Sequence, residues 1–276
     1  MARPLLLVIG AGGMGEAVAR RSGSGKRVWL ADVDEAAATG LRDRLVADGF
    51  DAHAHVIDVS SRASVEALAS EVRQRGGALQ LVHTAGLSPV QASVQAVLAV
   101  DLYGVALVLE AFADAMLEGG SIVIIASMAG VFMPPPAADV AQGFMWQSPE
   151  ALLELPAVQP DQLGNSGLAY ALAKQANILR VQAVSHGFGQ QGVRVNAISP
   201  GVISTAMGQE ELSGPAGEMM RQLVAGSPLG RVGTAQDIAA ATAFLLGEDA
   251  VFITGTNLLV DGGVVANVQS GAGADK

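Results

Sequence analysis

The stretch LLLVIGAGGMG, residues 5–15, joins five apolar residues to a cluster of glycines. A short, uninterrupted apolar run that ends at glycine is typical of a strand buried on both faces of a sheet. Glycines permit a tight turn, and the N–H groups that open the next helix can then approach a phosphate group closely. The stretch therefore predicts a strand, a phosphate-binding turn and a helix at the start of the chain.

Further short apolar runs follow, and apolar residues at helical spacing lie between most of them. The predicted strands cover residues 5–10, 27–32, 54–58, 79–86, 121–127, 193–199 and 257–263. The predicted helices include residues 35–47, 64–75, 93–117 and 234–246. This alternation predicts an α/β fold: a doubly wound, parallel, seven-stranded sheet of Rossmann type with helices on both faces. Because no Pro-rich or charged linker divides the chain, we expect a single domain over residues 1–276.

Composition and charge exclude several classes of protein. The chain has 276 residues, half of them apolar, no cysteine and a net charge of −10. The lack of cysteine excludes disulfides, thiolate catalysis and cysteine-ligated metals, and we expect no metal site. The acidic charge argues against nucleic acid and anionic membranes as partners. No uninterrupted apolar stretch approaches the ~20 residues that span a bilayer, so we expect a cytoplasmic protein with no membrane partner.

An acidic residue follows the glycine cluster at the spacing where a dinucleotide-binding unit holds the adenosine ribose. Asp32 ends the second predicted strand, where its carboxylate can accept from the ribose hydroxyls and repel a 2′-phosphate. Neither the glycine loop nor the adjacent Val33 supplies a positive charge for that phosphate. We therefore expect NAD(H) as cofactor, although Asp32 can also be read as an exposed loop acid. The loop contributes the contact positions Gly10, Gly12, Gly13, Met14 and Gly15.

Residues 131–165 interrupt the alternation with a long segment that contains six prolines and several large apolar residues. Ser148 followed by Pro149 is typical of a helix start, so residues 148–155 are expected to form two helical turns. The rest is expected to be irregular. Two interpretations stay open: a flap that closes over an apolar substrate, or an insertion for packing or subunit contact. We expect a flexible tail from about residue 269.

The helical segment LAYALAKQAN, residues 168–177, carries Tyr170 and Lys174 four positions apart. Residues four apart on a helix share one face, so the two side chains project together. The alternative is a surface helix with one aromatic residue and one solvated amine. Chance disfavours that alternative, since the chain has only two tyrosines and three lysines.

Together with this pair, motifs along nearly the whole chain resemble the short-chain dehydrogenase/reductase family. They are IDVSS at residues 57–61, TAG at 84–86, IIASMAG at 124–130, YALAK at 170–174, VRVNAISPGVIST at 193–205, PLGRVGTAQDIA at 228–239 and VDGG at 260–263. The insertion before YALAK further resembles the hydroxysteroid dehydrogenase/carbonyl reductase branch. Several such motifs in the same order make the resemblance specific.

The resemblance implies a role for each matching position. Tyr170 is implied as proton donor or acceptor, Lys174 as a ligand of the nicotinamide ribose and Ser127 as a hydrogen-bond partner of the substrate oxygen. Further cofactor contacts are implied at Asp58, Val59, Ala85, Gly86, Pro200, Gly201, Ile203 and Thr205. Free tyrosine has a pKa near 10, and a neighbouring ammonium group is expected to lower it.

Four features depart from the family pattern. The glycine loop is one residue shorter than usual, and the serine precedes the tyrosine by 43 residues (170 − 127) rather than about a dozen. His83 begins the HTAG segment and is expected to be a packed strand-end residue. Asp101 stands where the family commonly has a catalytic Asn. If that Asn acts through its backbone carbonyl, Asp can replace it; if its side chain acts, activity is reduced.

These observations predict an NAD(H)-dependent oxidoreductase that interconverts a secondary alcohol and a ketone, the substrate being a small and mainly apolar molecule. One alternative is a 3-ketoacyl-thioester reductase, which the acidic charge and Asp32 disfavour. Another is an NAD(H)-sensing binding protein that has lost turnover. Family habit implies a homodimer or homotetramer.

Overall fold

A seven-stranded parallel sheet forms the centre of the molecule, with its strands in the order β3-β2-β1-β4-β5-β6-β9. The computed structural model describes residues 3–90 and 92–271. The strands of this sheet are β1 (Leu5–Ile9), β2 (Arg27–Asp32), β3 (Asp51–Val56), β4 (Ala78–His83), β5 (Met116–Ile125), β6 (Arg194–Pro200) and β9 (Asn257–Val260). A separate pair consists of β7 (Ile203–Ser204) and β8 (Gly233–Thr234). The predicted fold class is confirmed.

Helices cover both faces of the sheet. They are α1 (Gly13–Ser22), α2 (Glu35–Ala47), α3 (Arg62–Gln74), α4 (Val94–Val97), α5 (Val105–Ala111), α6 (Met128–Phe132), α7 (Ala138–Trp146), α8 (Pro149–Leu153), α9 (Pro160–Leu163), α10 (Ser166–Gln190), α11 (Ala206–Ser213), α12 (Gly217–Gly226), α13 (Ala235–Leu246) and α14 (Val264–Ser270). A π-helix (Leu98–Gly104) joins α4 to α5, and short 3₁₀ turns lie at Pro156–Val158 and Glu248–Ala250.

Alternate side chains of the central strands enter two separate apolar layers. Leu5, Leu7 and Ile9 of β1 pack in one layer, while Leu6 and Val8 pack in the other. This is the arrangement of a strand buried on both faces, and it explains why β1 is apolar at every position. The carboxyl ends of the parallel strands consequently meet at one edge, where ligands bind in open α/β sheets.

The predicted helix over residues 93–117 is wrong at its end. Helix α5 stops at Ala111, and β5 already begins at Met116. The backbone N–H of Ala78 donates to the Ala115 carbonyl at 2.8 Å, so pairing with β4 draws the chain out of the helix. The apolar period alone does not reveal this switch, because strand and helix are both buried here.

One helical stretch, Val94–Ala111, is long and apolar enough by composition to span a bilayer. Most of it is buried within the protein, as in the core helix of a globular domain. It carries Asp101 and Glu110, and the π-helix lies within it.

The insertion at residues 131–165 is largely helical, contrary to the irregular segment expected, although the predicted helix start at Ser148 is confirmed. Helices α7 and α8 pack beside α10 and the π-helix. Arg180 of α10 anchors the end of α7, because its guanidinium donates to the carbonyls of Phe144 at 3.0 Å and Gln147 at 2.7 Å. At the C-terminus α14 ends at Ser270, close to the residue where the tail is predicted to begin. The rest of that tail, residues 272–276, lies outside the described residues.

Candidate active site

The glycine loop allows the chain to turn sharply between β1 and α1. Gly10 has a φ of 108°, and a side chain there would collide with Thr84 and with the backbone N–H of Ala85. A side chain at Gly15 would collide with the carbonyl of Gly10. Helix α1 begins after Gly12, and no side chain of the described residues caps its first N–H groups. The loop thus leaves helix N–H groups open to an anionic ligand, as a pyrophosphate requires.

Asp32 lies where β2 ends and is tied to the glycine loop. One carboxylate oxygen accepts a hydrogen bond from the backbone N–H of Ala11 at 2.7 Å, and the other accepts from Asp34 N–H at 3.0 Å. It lines a cleft of about 260 Å³ that we call the Asp32 cleft. Predicted residues that share this cleft are Val33, Asp58, Val59, Ala85 and Gly86. No lysine or arginine lines it among the described residues.

A second cleft, of about 290 Å³, contains the predicted catalytic side chains, and we call it the Tyr170 cleft. Ser127, Tyr170, Lys174 and Asp101 all line it. Predicted cofactor positions that also line it are Met14, Gly86, Pro200, Gly201, Ile203 and Thr205. The two clefts meet at Gly86 and Leu87, which line both. Gly10, Gly12, Gly13 and Gly15 line neither cleft and form the turn beside them.

Ser127 stands just beyond the end of β5 and caps α6. Its Oγ accepts a hydrogen bond from the backbone N–H of Ala129 at 3.1 Å. Because this contact uses the oxygen as an acceptor, the hydroxyl hydrogen can be donated to Tyr170 or to a ligand. Thr205 similarly caps α11, accepting from the N–H of Gly208 at 3.2 Å.

Asp101 forms a buried ion pair with Lys174, whose Nζ lies 2.9 Å from the Asp101 Oδ1. The other carboxylate oxygen accepts from the N–H of Leu87 at 3.0 Å. The backbone carbonyl of Asp101 accepts from the Asn177 side chain at 2.8 Å. The Asp101 side chain thus contacts both α10 and the loop after β4, and its backbone carbonyl contacts α10. A side chain at Gly86 would collide with the Asp101 carboxylate, so this glycine makes room for the ion pair.

The electrostatic surroundings raise the pKa of Tyr170 above its ordinary value. Burial is the largest cause; Lys174 acts in the opposite direction, with its Nζ 5.4 Å from the centre of the tyrosine ring. The carboxylates of Asp101 and Glu211 raise the pKa further, and the Ser127 hydroxyl lowers it. The expected direction of the Lys174 contribution is therefore confirmed, although the net pKa of Tyr170 is raised in the protein without bound cofactor. Lys174 lowers the pKa, but burial and the two carboxylates outweigh it.

Burial alone would lower the pKa of Lys174, yet Asp101 and then Tyr170 raise it, and the net direction is upward. The ammonium group therefore remains charged in a site that excludes water, with only 4% of its side chain exposed. Its Nζ also donates to the carbonyl of Ile125 at 3.3 Å.

His83 ends β4 and is fully buried, as expected of a packed strand-end residue. Neither ring nitrogen has a hydrogen-bond partner among the described residues. Burial, with a contribution from the Lys174 charge, lowers the pKa of His83 to about 3. The imidazole is consequently neutral at physiological pH.

Sequence reasoning missed the wall of the Tyr170 cleft that α11 and α12 form. Five of the nine methionines of the chain line this cleft: Met14, Met128, Met207, Met219 and Met220. Glu211 of α11 also lines it. The signal in the sequence is the concentration of methionine soon after Thr205, since methionine is common on adaptable binding surfaces. By contrast, residues 131–165 contribute nothing to the lining of either cleft among the described residues.

Comparisons with known proteins identify the family of the chain. Residues 5–140 match the family model described as short chain dehydrogenase, and residues 137–265 match that described as enoyl-(acyl carrier protein) reductase. A short-chain dehydrogenase/reductase of Alternaria brassicicola is 37% identical over 96% of this chain and 97% of its own length. The D-threitol dehydrogenase of Mycolicibacterium smegmatis is 32% identical over 93% of this chain and 91% of its own.

Among solved structures, the 3-alpha-hydroxysteroid dehydrogenase from a Pseudomonas species, complexed with NADH, superposes with a TM-score of 0.78. It is 28% identical, and the match covers 96% of this chain and 98% of that one. Fold, site and relatives together define an oxidoreductase that acts on the CH–OH group of a small molecule. The chain belongs to the short-chain dehydrogenase/reductase family.

The residues present fit a nicotinamide cofactor. The glycine turn leaves space and free N–H groups for a pyrophosphate, the Asp32 cleft lies on one side, and the Tyr170 cleft lies on the other. An extended dinucleotide can therefore place one end in each cleft across the carboxyl edge of the sheet.

Proposed function

We propose that this protein is an NAD(H)-dependent dehydrogenase that interconverts a secondary alcohol and a ketone. The observation that carries the proposal is the convergence of Ser127, Tyr170 and Lys174 in one cleft that adjoins the Asp32 cleft. The relatives that are named as dehydrogenases support it.

In the proposed reaction each side chain has a separate task. A bound nicotinamide supplies or accepts the hydride at the reacting carbon. Ser127 donates a hydrogen bond to the substrate oxygen, which fixes that oxygen beside the Tyr170 hydroxyl. Tyr170 gives the oxygen a proton during reduction and takes it during oxidation. Lys174 favours the phenolate that remains after reduction and binds the nicotinamide ribose.

The preference for NAD(H) over NADP(H) is proposed to rest on Asp32. Its carboxylate would repel a 2′-phosphate, and no cation among the described lining residues of the Asp32 cleft compensates. NADH is expected to bind more tightly than NADPH by roughly 1–3 kcal/mol, the range for one charged contact. Asp32→Asn should reduce this difference in binding free energy, while the amide oxygen still accepts from the N–H of Ala11. Calorimetric titration with NADH and with NADPH measures the difference. Equal affinity in the unmodified protein contradicts the proposal.

An NAD(H)-sensing protein that has lost turnover is a second candidate. The Asp101–Lys174 ion pair favours it, because it partly neutralises the charge that would activate Tyr170. A spectrophotometric screen of NADH oxidation with ketones from small aliphatic to steroid-sized distinguishes the two. Turnover of any member supports the dehydrogenase; tight NADH binding without turnover supports the sensor.

We further propose that the protein is a cytoplasmic homodimer or homotetramer. Large apolar side chains such as Trp146, Val251 and Phe252 are exposed, and association of copies would cover them. Light scattering coupled to size-exclusion chromatography gives the number of subunits.

A further inference from the structure

The Tyr170 cleft carries one charged group that the proposed reaction does not use. Three charged side chains line the cleft, and two of them, Asp101 and Lys174, are paired with each other at 2.9 Å. The third, Glu211, forms no ion pair with any described residue. A carboxylate has thus been placed in a substrate cleft without a compensating cation.

Glu211 is held toward the cleft by a single hydrogen bond. The Ser88 hydroxyl donates to its Oε1 at 2.8 Å, and Ser88 is only 1% exposed. The Ser88 oxygen in turn accepts from the N–H of Val90 at 3.3 Å, which directs the hydroxyl hydrogen toward the carboxylate. Among the described residues no other donor contacts the Glu211 carboxylate, so Oε2 retains its accepting capacity.

The surroundings of Glu211 compensate its charge only in part. Met207, one turn earlier on α11, lines the same cleft, and Met219, Met220 and Leu87 line it too. Burial raises the pKa of Glu211, and the Ser88 hydrogen bond only partly opposes the effect. A half-buried carboxylate with one neutral donor is only partly compensated, and a second donor from a ligand would improve that compensation.

The position of Glu211 suggests which part of a substrate supplies that donor. Glu211 lies six residues beyond Thr205 along α11, which corresponds to about 9 Å of helix. Thr205 is one of the positions where the family resemblance implies a cofactor contact. The Glu211 charge still reaches Tyr170, whose pKa it raises. The carboxylate therefore shares the cleft with Tyr170. Because Ser127 and Tyr170 are proposed to hold the reacting oxygen, Glu211 is left for another part of a small substrate.

We propose that Glu211 recognises a hydrogen-bond donor, a hydroxyl or an ammonium group, on the part of the substrate remote from the reacting carbon. The inference rests on the proposed dehydrogenase function and refines its substrate class. The carbon chain of the substrate packs against Met207, Met219 and Met220, and Glu211 accepts a hydrogen bond from the distal donor. A substrate with a distal carboxylate is repelled by the Glu211 charge.

The test uses methyl ketones in matched sets, with NADH as reductant. Within each set the chain length is constant and the far end is a hydroxyl, an ammonium, a methyl or a carboxylate group. The unmodified protein is expected to show at least a tenfold higher kcat/KM for the hydroxyl or the ammonium member than for the methyl member. Whichever of the two is preferred identifies the donor. The carboxylate member should be the poorest substrate.

Variants separate recognition from a structural role. Glu211→Met removes the acceptor and keeps an apolar side chain of similar length, so the preference should disappear while the methyl ketone is turned over at least as well. Ser88→Ala removes the hydrogen bond that holds Glu211 but keeps the carboxylate, so it should weaken the preference without abolishing it. Glu248→Gln removes an exposed charge outside the cleft and should change nothing.

Two results overturn the inference alone: equal kcat/KM across the hydroxyl, ammonium and methyl members, or a Glu211→Met variant that slows all members equally. Tight NADH binding without turnover of any ketone overturns the proposed function, and the inference with it. The two failures are therefore distinguishable.

Discussion

Asp101 alters the electrostatics of Tyr170, the proposed proton-exchanging residue, because it places a carboxylate beside Lys174. Its charge raises the pKa of Tyr170 directly and also raises that of Lys174. The groups that face the phenol are Lys174, Asp101, Ser127 and Glu211. With two carboxylates and one ammonium around it, the phenolate form is less favoured than it would be beside an unpaired lysine.

Replacement of Asp101 by Asn should move the pH profile of alcohol oxidation toward lower pH. The substitution removes a negative charge, so the phenolate of Tyr170 becomes easier to form and the apparent pKa of the rising limb falls. The measurement is kcat/KM for oxidation as a function of pH. Asp161→Asn, at the exposed start of α9, serves as the control. An unchanged profile, or one moved to higher pH, would show that the ion pair does not govern Tyr170.

His83 should make the folded protein sensitive to acid. Its folded-state pKa of about 3 lies below the ordinary value of 6.5, so the unfolded chain binds the proton more readily. The stability that neutral His83 contributes is fully present above about pH 6.5 and is lost as the pH falls toward 3. Within that window the loss reaches about 1.4 kcal/mol per pH unit.

His83→Leu should flatten the decline of unfolding free energy between about pH 6 and pH 4. Urea unfolding at a series of pH values measures this slope. His186→Leu is the matched control, because His186 is exposed on α10. A variant with the slope of the unmodified protein contradicts the assignment.

At the scale of elements, the insertion explains why α10 is apolar on nearly every side. One face of α10 packs on β6, and α6 and α7 pack against others. Buried residues consequently extend around the helix, from Ala169 to Phe188. From the sequence, one face of α10 is expected to pack in the core and the other to face the active site. The sequence does not reveal that α6 and α7 also pack against this helix. A helix that is apolar all round is one that neighbours enclose.

The position of the insertion favours the packing or subunit-contact interpretation over the flap. Its helices contact α10 and the π-helix, whereas α11 and α12 contribute residues to the wall of the Tyr170 cleft. Arg62 also links this region to the body, since its guanidinium bonds Glu66, Glu110 and Glu150. That network is partly exposed, so we assign it little stability.

Arg180→Met should destabilise the protein by about 2–4 kcal/mol, because it leaves the carbonyls of Phe144 and Gln147 without their charged donor. The guanidinium is mostly buried, and burial lowers its pKa to about 10. Urea unfolding measures the change. Arg73→Ala, at an exposed pair with Asp114, should cost less than about 1 kcal/mol. Equal effects of the two substitutions would show that Arg180 does not anchor α7.

At the scale of the whole molecule, the features that the sequence predicts are those set by local pattern. Residues close together in the chain determine four such features: the glycine turn, the buried strands, the Tyr170–Lys174 helix and the individual family motifs. The features it missed depend on distant ones. Ser88 and Glu211 are 123 positions apart, and Arg180 is 36 positions from Phe144. Such pairs are determined by how elements pack, and no periodicity encodes them.

Asp101 is a position that the sequence identified but whose contacts it could not predict. The family pattern marks it as a departure, but whether its side chain or its carbonyl acts depends on geometry. Its carboxylate pairs with Lys174, which is 73 positions away (174 − 101). The pair fits because Gly86 has no side chain to occupy that space.

The substitution Tyr170→Phe tests the central claim most directly, because it removes one hydroxyl and keeps the volume of the ring. Ketone reduction with NADH should slow by ~10²–10⁴, the usual contribution of a general acid–base group. NADH affinity, measured by calorimetry, and the free energy of unfolding should remain close to those of the unmodified protein. A Tyr170→Phe protein that retains most of its turnover would contradict the proposed mechanism.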